Sequence, residues 1–280
     1  MPRLALPTSP TLSIASLLPT SSTPCAFIYA SHPRWPLLPG AQSSPQRIRV
    51  VDSSWNPPHA AHLALARHGA RDATLLAFTV LNPDKGSVKD DVTALRLEMV
   101  RAVALDLQRR AERGEEGLAN VAVAVLQAPT FVQKSRILKS ELYALAQEHG
   151  ASSVEGTLQL SFAVGWDTLI RIFAPRYYQP PNPDLTTSMN ALLVEDGSFL
   201  SCARRGDVSP EEEHAFLESP EVKPWAQQVE LFDLEDEHVR SISSTEIRRA
   251  VKDERWDDVR RDVPFEGVVE VLQREGLYRE

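Results

Sequence analysis

Two histidines three residues apart are the clearest chemical feature of this chain. His59 and His62 follow an apolar run at Ile48–Asp52 and the prolines Pro57-Pro58, which fit the first turn of a helix. On a helix they share one face, beside free N–H groups that attract anions, and imidazoles can donate hydrogen bonds to phosphate. The spacing predicts a phosphate site. Incidental surface residues, a helix cap or zinc ligands are alternatives, although the sequence offers no third zinc ligand nearby.

A second feature is a helix start that is rich in hydroxyl groups. Ser243 and Glu246 have the spacing of a capping box, and capping alone would explain these two residues. It does not explain the hydroxyls of Ser244 and Thr245, or Arg248 one turn later. Hydroxyls, free N–H groups and a guanidinium at one helix end predict a phosphate clamp.

Both features resemble the motifs of one family. The segment Ser53–His62 resembles the Gly-Ser-Phe-x-Pro-x-His-x-x-His signature of the nicotinamide mononucleotide adenylyltransferases, members of the His-x-Gly-His nucleotidyltransferase superfamily. Ile242–Arg248 is similar to the family's Ile-Ser-Ser-Thr-x-Ile-Arg motif at every position. The chain departs from the pattern where Ser53 replaces glycine, Trp55 replaces phenylalanine, and Ala61 replaces the glycine common in the superfamily. Ser53 adds a side chain where the backbone should approach the nucleotide closely.

The resemblance implies an adenylyltransferase that joins ATP and nicotinamide mononucleotide to give NAD and pyrophosphate, with Mg²⁺ carried on the ATP and no metal site in the protein. Such a transfer needs positioning and charge neutralisation more than proton transfer. His59 and His62 would orient the α- and β-phosphates, and Arg248 would offset the charge on pyrophosphate. The implied ATP-binding residues are Ser53, Ser54, Trp55, His59, His62, Gly165, Asp167, Ile242, Ser243, Ser244, Thr245 and Arg248.

The acceptor half of the site is less well marked. The family stacks the nicotinamide ring on a tryptophan after the third strand, whereas Gln127–Lys134 contains none. Phe131 is a candidate for stacking or a core residue, and Lys85 is a candidate phosphate ligand or a solvated lysine. Asp167 could instead cap its helix. The predicted acceptor-binding residues are Ser54, Trp55, Lys85, Phe131, Lys134 and Trp166.

Strands and helices alternate along the rest of the chain. Apolar runs predict strands, and segments with helical periodicity predict helices between them. This order predicts an α/β, Rossmann-like fold with a mostly parallel sheet, helices on both faces and a small C-terminal helical part. Ligands bind such sheets at the carboxyl ends of the strands.

Asp196-Gly197 predicts a hairpin or a tight link between its flanking segments. Val263–Tyr278 resembles the family's C-terminal helix, and Arg96–Val100 resembles its first long helix. We expect both segments to pack against the core and not to line the site. The predicted strands are Ile48–Asp52, Thr74–Leu81, Val121–Leu126, Leu158–Val164, Ala191–Val194, Phe199–Ala203 and Val229–Phe232.

The N-terminal segment differs in composition from the rest. Residues 1–51 contain no Asp or Glu and are rich in Ser, Pro and Thr. We expect residues 1–46 to form an extension, with a short strand near Cys25–Tyr29, and residues 47–280 to form the nucleotidyltransferase domain. The acid-free composition keeps a mitochondrial transit peptide as a minority alternative to a cytoplasmic or nuclear location.

The composition of the chain limits the classes of partner that it can bind. A net charge of −8 disfavours a nucleic-acid partner, because such proteins need a basic surface. No apolar run is long enough to span a bilayer, and two cysteines form neither a disulfide framework nor a zinc site. A homo-oligomer stays open. Alternatives to the implied reaction are a different phosphorylated acceptor, the use of CTP, or a non-catalytic ATP-binding regulatory protein of the same fold.

Overall fold

The computed structural model describes residues 19–20, 23–37, 46–69, 71–82, 86–87, 90–115, 118–148, 158–180 and 182–279. Its strands, in chain order, are β1 (Cys25–Ala30), β2 (Gln46–Ser53), β3 (Ala73–Thr79), β4 (Leu81–Asn82), β5 (Gly86–Ser87), β6 (Val121–Leu126), β7 (Leu158–Gly165), β8 (Phe199–Ala203) and β9 (Val229–Phe232).

The main sheet contains seven of the described strands, in the order β1-β6-β3-β2-β7-β8-β9. All neighbouring pairs are parallel except β1 and β6, which are antiparallel. The chain moves outward from β2 to one side through β3 and β6, and to the other side through β7, β8 and β9. Strand order therefore reverses between β2 and β7, which is where ligands bind in sheets of this kind. The β4 and β5 strands form a separate small hairpin.

The α-helices of the described residues lie between the strands and after the last of them. They are α1 (Ala60–Arg67), α2 (Asp90–Glu112), α3 (Phe131–Glu148), α4 (Trp166–Ile172), α5 (Leu185–Met189), α6 (Pro210–Leu217), α7 (Glu237–Ser241), α8 (Ser244–Lys252), α9 (Trp256–Asp262) and α10 (Glu266–Arg274). Helix α5 continues as a π-helix over Asn190–Glu195.

Alternating side chains of the central strands supply two cores. Val50 and Leu75 point to one face, where α3, α4 and the π-helix pack. Val51 and Leu76 point to the other, which is covered by α1, α2, α8, α9 and α10. All four side chains are fully buried, as expected for a parallel sheet covered on both faces. The predicted α/β, Rossmann-like fold with a C-terminal helical part is confirmed.

At the element level, one expectation is wrong and another is confirmed. The segment Ala191–Val194 is helical, so the predicted hairpin at Asp196-Gly197 is wrong and the tight-link alternative is correct. Gly197 has φ +60° there, a conformation that glycine adopts without strain. The short N-terminal strand is confirmed as β1, which forms an edge of the main sheet. The boundary between residues 46 and 47 stays a prediction.

Each helix in the described ranges is too short or too polar to cross a bilayer.

Candidate nucleotide-binding site

A cavity of about 790 Å³ opens at the point where strand order reverses. Its walls come from the carboxyl ends of β2, β7 and β8 and from the segments that follow them. The start of α1 and the turn at Ser241–Ser243 close it from the side of the second core. The two predicted motifs thus meet at one cavity, although their sequences lie almost 200 residues apart.

Trp55 forms the base on which the two histidines rest. Its ring is fully buried and its Nε1 donates a hydrogen bond to the carbonyl oxygen of Ala77 on β3, at 2.8 Å. The centroid of the His62 ring lies 4.6 Å from that of Trp55, and the His59 ring lies 3.9 Å beyond. These tilted ring contacts hold both imidazoles at the cavity wall. Trp55 itself lies beneath the wall, because its indole fills the core.

His62 has both ring nitrogens engaged within the protein. Its Nδ1 accepts from the backbone N–H of His59 at 3.1 Å, and its Nε2 lies 2.8 Å from Ser53 Oγ. Burial, and secondly the neighbouring His59, hold the pKa of His62 well below its usual value, so the ring is neutral near pH 7. With Nδ1 as the acceptor, the remaining proton lies on Nε2 and is donated to Ser53.

His59 presents an unsatisfied polar atom. Its backbone occupies the N-cap position of α1, and its ring is 7% exposed. The Nδ1 atom is buried and has no hydrogen-bond partner. Burial lowers the pKa of His59 to about 4, with an opposing effect from the charge of Asp262. A buried polar atom without a partner is costly, and a ligand in the cavity could supply the missing bond.

The hydroxyl-rich helix α8 contacts the turn before His59 directly. Ser244 Oγ donates to the carbonyl oxygen of Pro57 at 3.3 Å, and Arg248 Nη1 donates to that of Asn56 at 2.7 Å. Ser243 caps α8 by accepting from the Glu246 N–H at 3.2 Å. The two motifs are therefore one structural unit, joined by hydrogen bonds to backbone carbonyls.

The opposite wall carries the segment after β7. Gly165 holds the N-cap position of α4, so the helix-cap alternative for Asp167 is wrong. A side chain at Gly165 would meet no atom within 4 Å, and the glycine leaves this wall open. The Asp167 carboxylate instead accepts from Arg205 Nη1 at 3.0 Å, and Arg205 also binds Asp207. These groups form a polar rim after β7 and β8.

A buried ion pair lies beside the cavity at the end of β2. Asp52 Oδ2 lies 2.5 Å from Lys134 Nζ, and Asp52 Oδ1 accepts from Thr79 Oγ1 at 2.7 Å. The Lys134 ammonium also lies 4.5 Å from the centroid of the Phe131 ring. Phe131 packs edge-to-face on Phe162 in the first core, so it is a core residue and not an exposed stacking platform. Lys134 is paired with Asp52 and does not itself line the cavity.

The structure divides the predicted residues into two groups. Those that line the cavity are Ser53, His59, His62, Gly165, Trp166, Asp167, Ile242 and Ser243. Those behind or beside the wall are Ser54, Trp55, Phe131, Lys134, Ser244, Thr245 and Arg248. Lys85 lies outside the described residues. The sequence places Arg204 and Arg205 just after the strand Phe199–Ala203, as candidate phosphate contacts or a solvated pair, and both line the cavity. The lining residues that the sequence analysis missed lie mostly at or just after strand ends, a position that the strand-end rule could have flagged: Asp52, Ala203, Gly206, Asp207 and Leu234.

Within the described ranges, no three His, Cys, Asp or Glu side chains are grouped so as to hold a metal ion.

Comparison with known proteins agrees with this geometry. No family model matches the chain. A Schizosaccharomyces pombe protein named "Putative nicotinamide mononucleotide adenylyltransferase" is 26% identical over 254 residues, which cover 85% of this chain and 89% of that protein. The predicted resemblance to this family is confirmed. The similarity extends over far more of the chain than the two short signatures.

Solved structures support the fold of this adenylyltransferase-like chain. A Plasmodium falciparum nicotinic acid mononucleotide adenylyltransferase complexed with NaAD superposes with a TM-score of 0.52 at 13% identity. The match covers 84% of this chain and 98% of that protein, and the same values hold for its complex with APC. At this identity the likeness concerns the fold alone.

Proposed function

We propose that this protein is a nucleotidyltransferase that binds ATP in the cavity and transfers its adenylyl group to nicotinamide mononucleotide, giving NAD and pyrophosphate. The observation that carries the proposal is the meeting of two motifs, distant in sequence, at the carboxyl edge of the sheet. There His59, whose buried Nδ1 has no hydrogen-bond partner, lines a cavity. The named relative and the shared fold support the same chemistry.

The residues at the cavity suit in-line transfer. A phosphate oxygen of the acceptor would attack the α-phosphorus of ATP, forming one P–O bond while the bond to pyrophosphate breaks. His59 Nδ1 and His62 Nε2 would donate to phosphate oxygens; for His62 this exchanges Ser53 for the ligand. His59 needs its proton on Nδ1 for that role. Fixed donors at a helix start stabilise the developing charge without reorganisation.

The remaining ligands divide between the two ends of the cavity. Ser243 and the free N–H groups of α8 would hold the terminal phosphates, while Ser244, Thr245 and Arg248 support them from behind. Gly165, Trp166 and Asp167 would contact the nucleoside. We assign Mg²⁺ to the phosphates of ATP, where it supplies charge neutralisation when bound.

Replacing His62 with Ala tests the role of the imidazoles. We expect His62→Ala to reduce kcat by at least about 100-fold, as for other lost transition-state donors, while circular dichroism shows an intact fold. Replacing His68 with Ala, a histidine that pairs with Glu230 at 3.3 Å on the far end of α1, is a matched control that should retain activity. Near-normal NAD formation by His62→Ala would refute the role.

One observation favours a second candidate, an enzyme of the same class with a different phosphorylated acceptor. Phe131 is packed in the core and Lys134 is held by Asp52, so two predicted acceptor ligands are engaged elsewhere. Purified protein should therefore be assayed with ATP and a panel of mononucleotides, including the amide and acid pyridine forms. Preferential NAD formation supports the leading proposal, whereas turnover with another acceptor alone supports the second. ATP binding without pyrophosphate release would identify a regulatory protein.

A further inference from the structure

The end of the chain returns to the turn that precedes the catalytic histidines. Tyr278 OH donates to the side-chain oxygen of Asn56 at 2.5 Å, although the two residues are 222 positions apart. Asn56 also accepts, through its carbonyl oxygen, from Arg248. The side-chain oxygen and the carbonyl oxygen of Asn56 are therefore both held by groups from the C-terminal part of the chain.

The segment that carries Tyr278 is docked firmly. Helix α10 packs so closely on α2 that a Cβ added at Gly267 would lie 3.1 Å from that of Ala102. Arg274 Nη2 donates to both carboxylate oxygens of Glu98 on α2, at 2.8 and 2.9 Å. Leu277 and Tyr278 then pack against the second core. These contacts give the Tyr278 hydroxyl a fixed position over the turn.

The backbone at Tyr278 has an unfavourable conformation for a residue with a side chain. Its φ is +65°, in the left-handed region that costs a residue with a side chain about 1 kcal/mol. Trp55, directly before Asn56, also has a positive φ of +48°. Two strained residues are thus joined through Asn56, and the hydrogen bonds from Tyr278 and Arg248 hold the turn in its observed shape.

We propose that Tyr278 is a positioning residue, which sets the location of His59 and His62 by holding Asn56. The inference rests on the proposed function for its catalytic part, but its structural part can be tested without it. The turn leads through two prolines into the N-cap His59, so a shift of Asn56 displaces the start of α1. Small displacements of positioned groups slow transfer more than they weaken binding.

The test compares Tyr278→Phe with Tyr29→Phe. The second variant also removes a tyrosine hydroxyl that is hydrogen-bonded at the second core, to Gln108, but lies far from the cavity on β1. We expect faster amide hydrogen exchange in a peptide spanning residues 54–62 for Tyr278→Phe only. We also expect kcat to fall about three- to tenfold, the effect of one lost hydrogen bond, with little change in KM for ATP.

A double-mutant cycle with Asn56→Ala decides whether Tyr278 acts through Asn56. Coupling between the two changes in kcat supports the proposal, whereas additive effects overturn it. The proposal is also overturned if Tyr278→Phe lowers the melting temperature but leaves kcat and the amide hydrogen exchange of residues 54–62 unchanged. That result would show that Tyr278 only packs against the core. If the wild-type protein forms no NAD, the proposed function fails, and the exchange comparison still tests the contact.

Discussion

At the scale of single residues, Ser53 is the departure from the family pattern with the clearest consequence. Its hydroxyl lies 2.8 Å from His62 Nε2, the atom that the proposed mechanism offers to phosphate. In the ligand-free protein the serine therefore accepts the hydrogen bond that His62 would donate to phosphate in the proposed mechanism. Removing the hydroxyl should have opposite effects on stability and on affinity for ATP.

We expect Ser53→Ala to lower the free energy of unfolding by about 1 kcal/mol, because a buried donor loses its partner. The same change should tighten ATP binding by up to about tenfold, because the nucleotide no longer has to displace the serine. Urea unfolding and calorimetric titration with ATP measure the two quantities. Weaker ATP binding by Ser53→Ala would show that the serine assists the ligand and does not compete with it.

The buried state of His59 predicts how stability depends on pH. Its pKa is about 4 in the folded protein and about 6.5 in an unfolded chain. Between these values the unfolded chain binds a proton that the folded chain does not, so acidification lowers the free energy of unfolding. For His59 alone the stability lost on acidification totals about 3 kcal/mol; none of it is lost above pH 6.5, and the loss is nearly complete at pH 4.

Urea unfolding at pH 7.5 and pH 5 measures this loss. His59→Gln should lose less stability on acidification than the wild-type protein, whereas replacement of the exposed His214 with Gln should leave the dependence unchanged. Identical pH dependence of His59→Gln and wild type would mean that His59 is not buried as a neutral ring.

At the scale of elements, the ion pair between Asp52 and Lys134 joins the end of β2 to the first turn of α3. The two side chains are 10% and 6% exposed, so each charge depends on the other for compensation. We expect Lys134→Met to destabilise the fold by about 3–5 kcal/mol, because it leaves a buried carboxylate without its ammonium partner.

Adding Asp52→Asn to Lys134→Met should restore most of this loss, because both charges are then absent. Thermal and urea unfolding of the single and double variants measure the coupling. If Lys134 also binds the acceptor, the double variant will be stable yet will show a raised KM for the mononucleotide. Equal destabilisation in the single and double variants would contradict the role of charge compensation.

Local sequence patterns were enough to predict most elements but not their partners. Apolar runs and helical periodicity located β2, β6, β7 and β9 and the helices α1, α2, α3 and α4, because these signals depend on residues close in sequence. The antiparallel pairing of β1 with β6 has no such signal. Nor do the bonds from Lys134 to Asp52 or from Tyr278 to Asn56, which join residues 82 and 222 positions apart.

The candidate site shows the same limit. Motif resemblance identified His59, His62 and Ser243 at the cavity wall, but it also placed Trp55 and Arg248 there. Both residues instead support the turn before His59. The Trp55 indole fills the core, and the Arg248 guanidinium donates a hydrogen bond to the carbonyl oxygen of Asn56. Whether a motif residue faces the ligand or holds the residue that does so depends on tertiary packing.

At the scale of the whole molecule, the N-terminal boundary of the folded unit is the feature that sequence composition leaves most open. A division between residues 46 and 47 would remove β1 from the sheet. Yet Ile28 is 4% exposed in the second core, and Trp35 is fully buried in the first. Removing this segment would also leave β6, whose six residues are all buried, as an open edge.

We therefore expect a chain that begins at residue 47 to aggregate or to melt well below the full-length protein. Burial of the Trp35 and Ile28 side chains stabilises the fold by about 2–3 kcal/mol each, and this stabilisation would be lost. A chain that begins at residue 19 keeps both side chains and all of β1, so it should melt well above the chain that begins at residue 47. Size-exclusion chromatography and thermal unfolding of the two truncated chains distinguish the boundaries. A stable, monodisperse product from residue 47 would show that β1 is an accessory strand, because the sheet would then close its core without it.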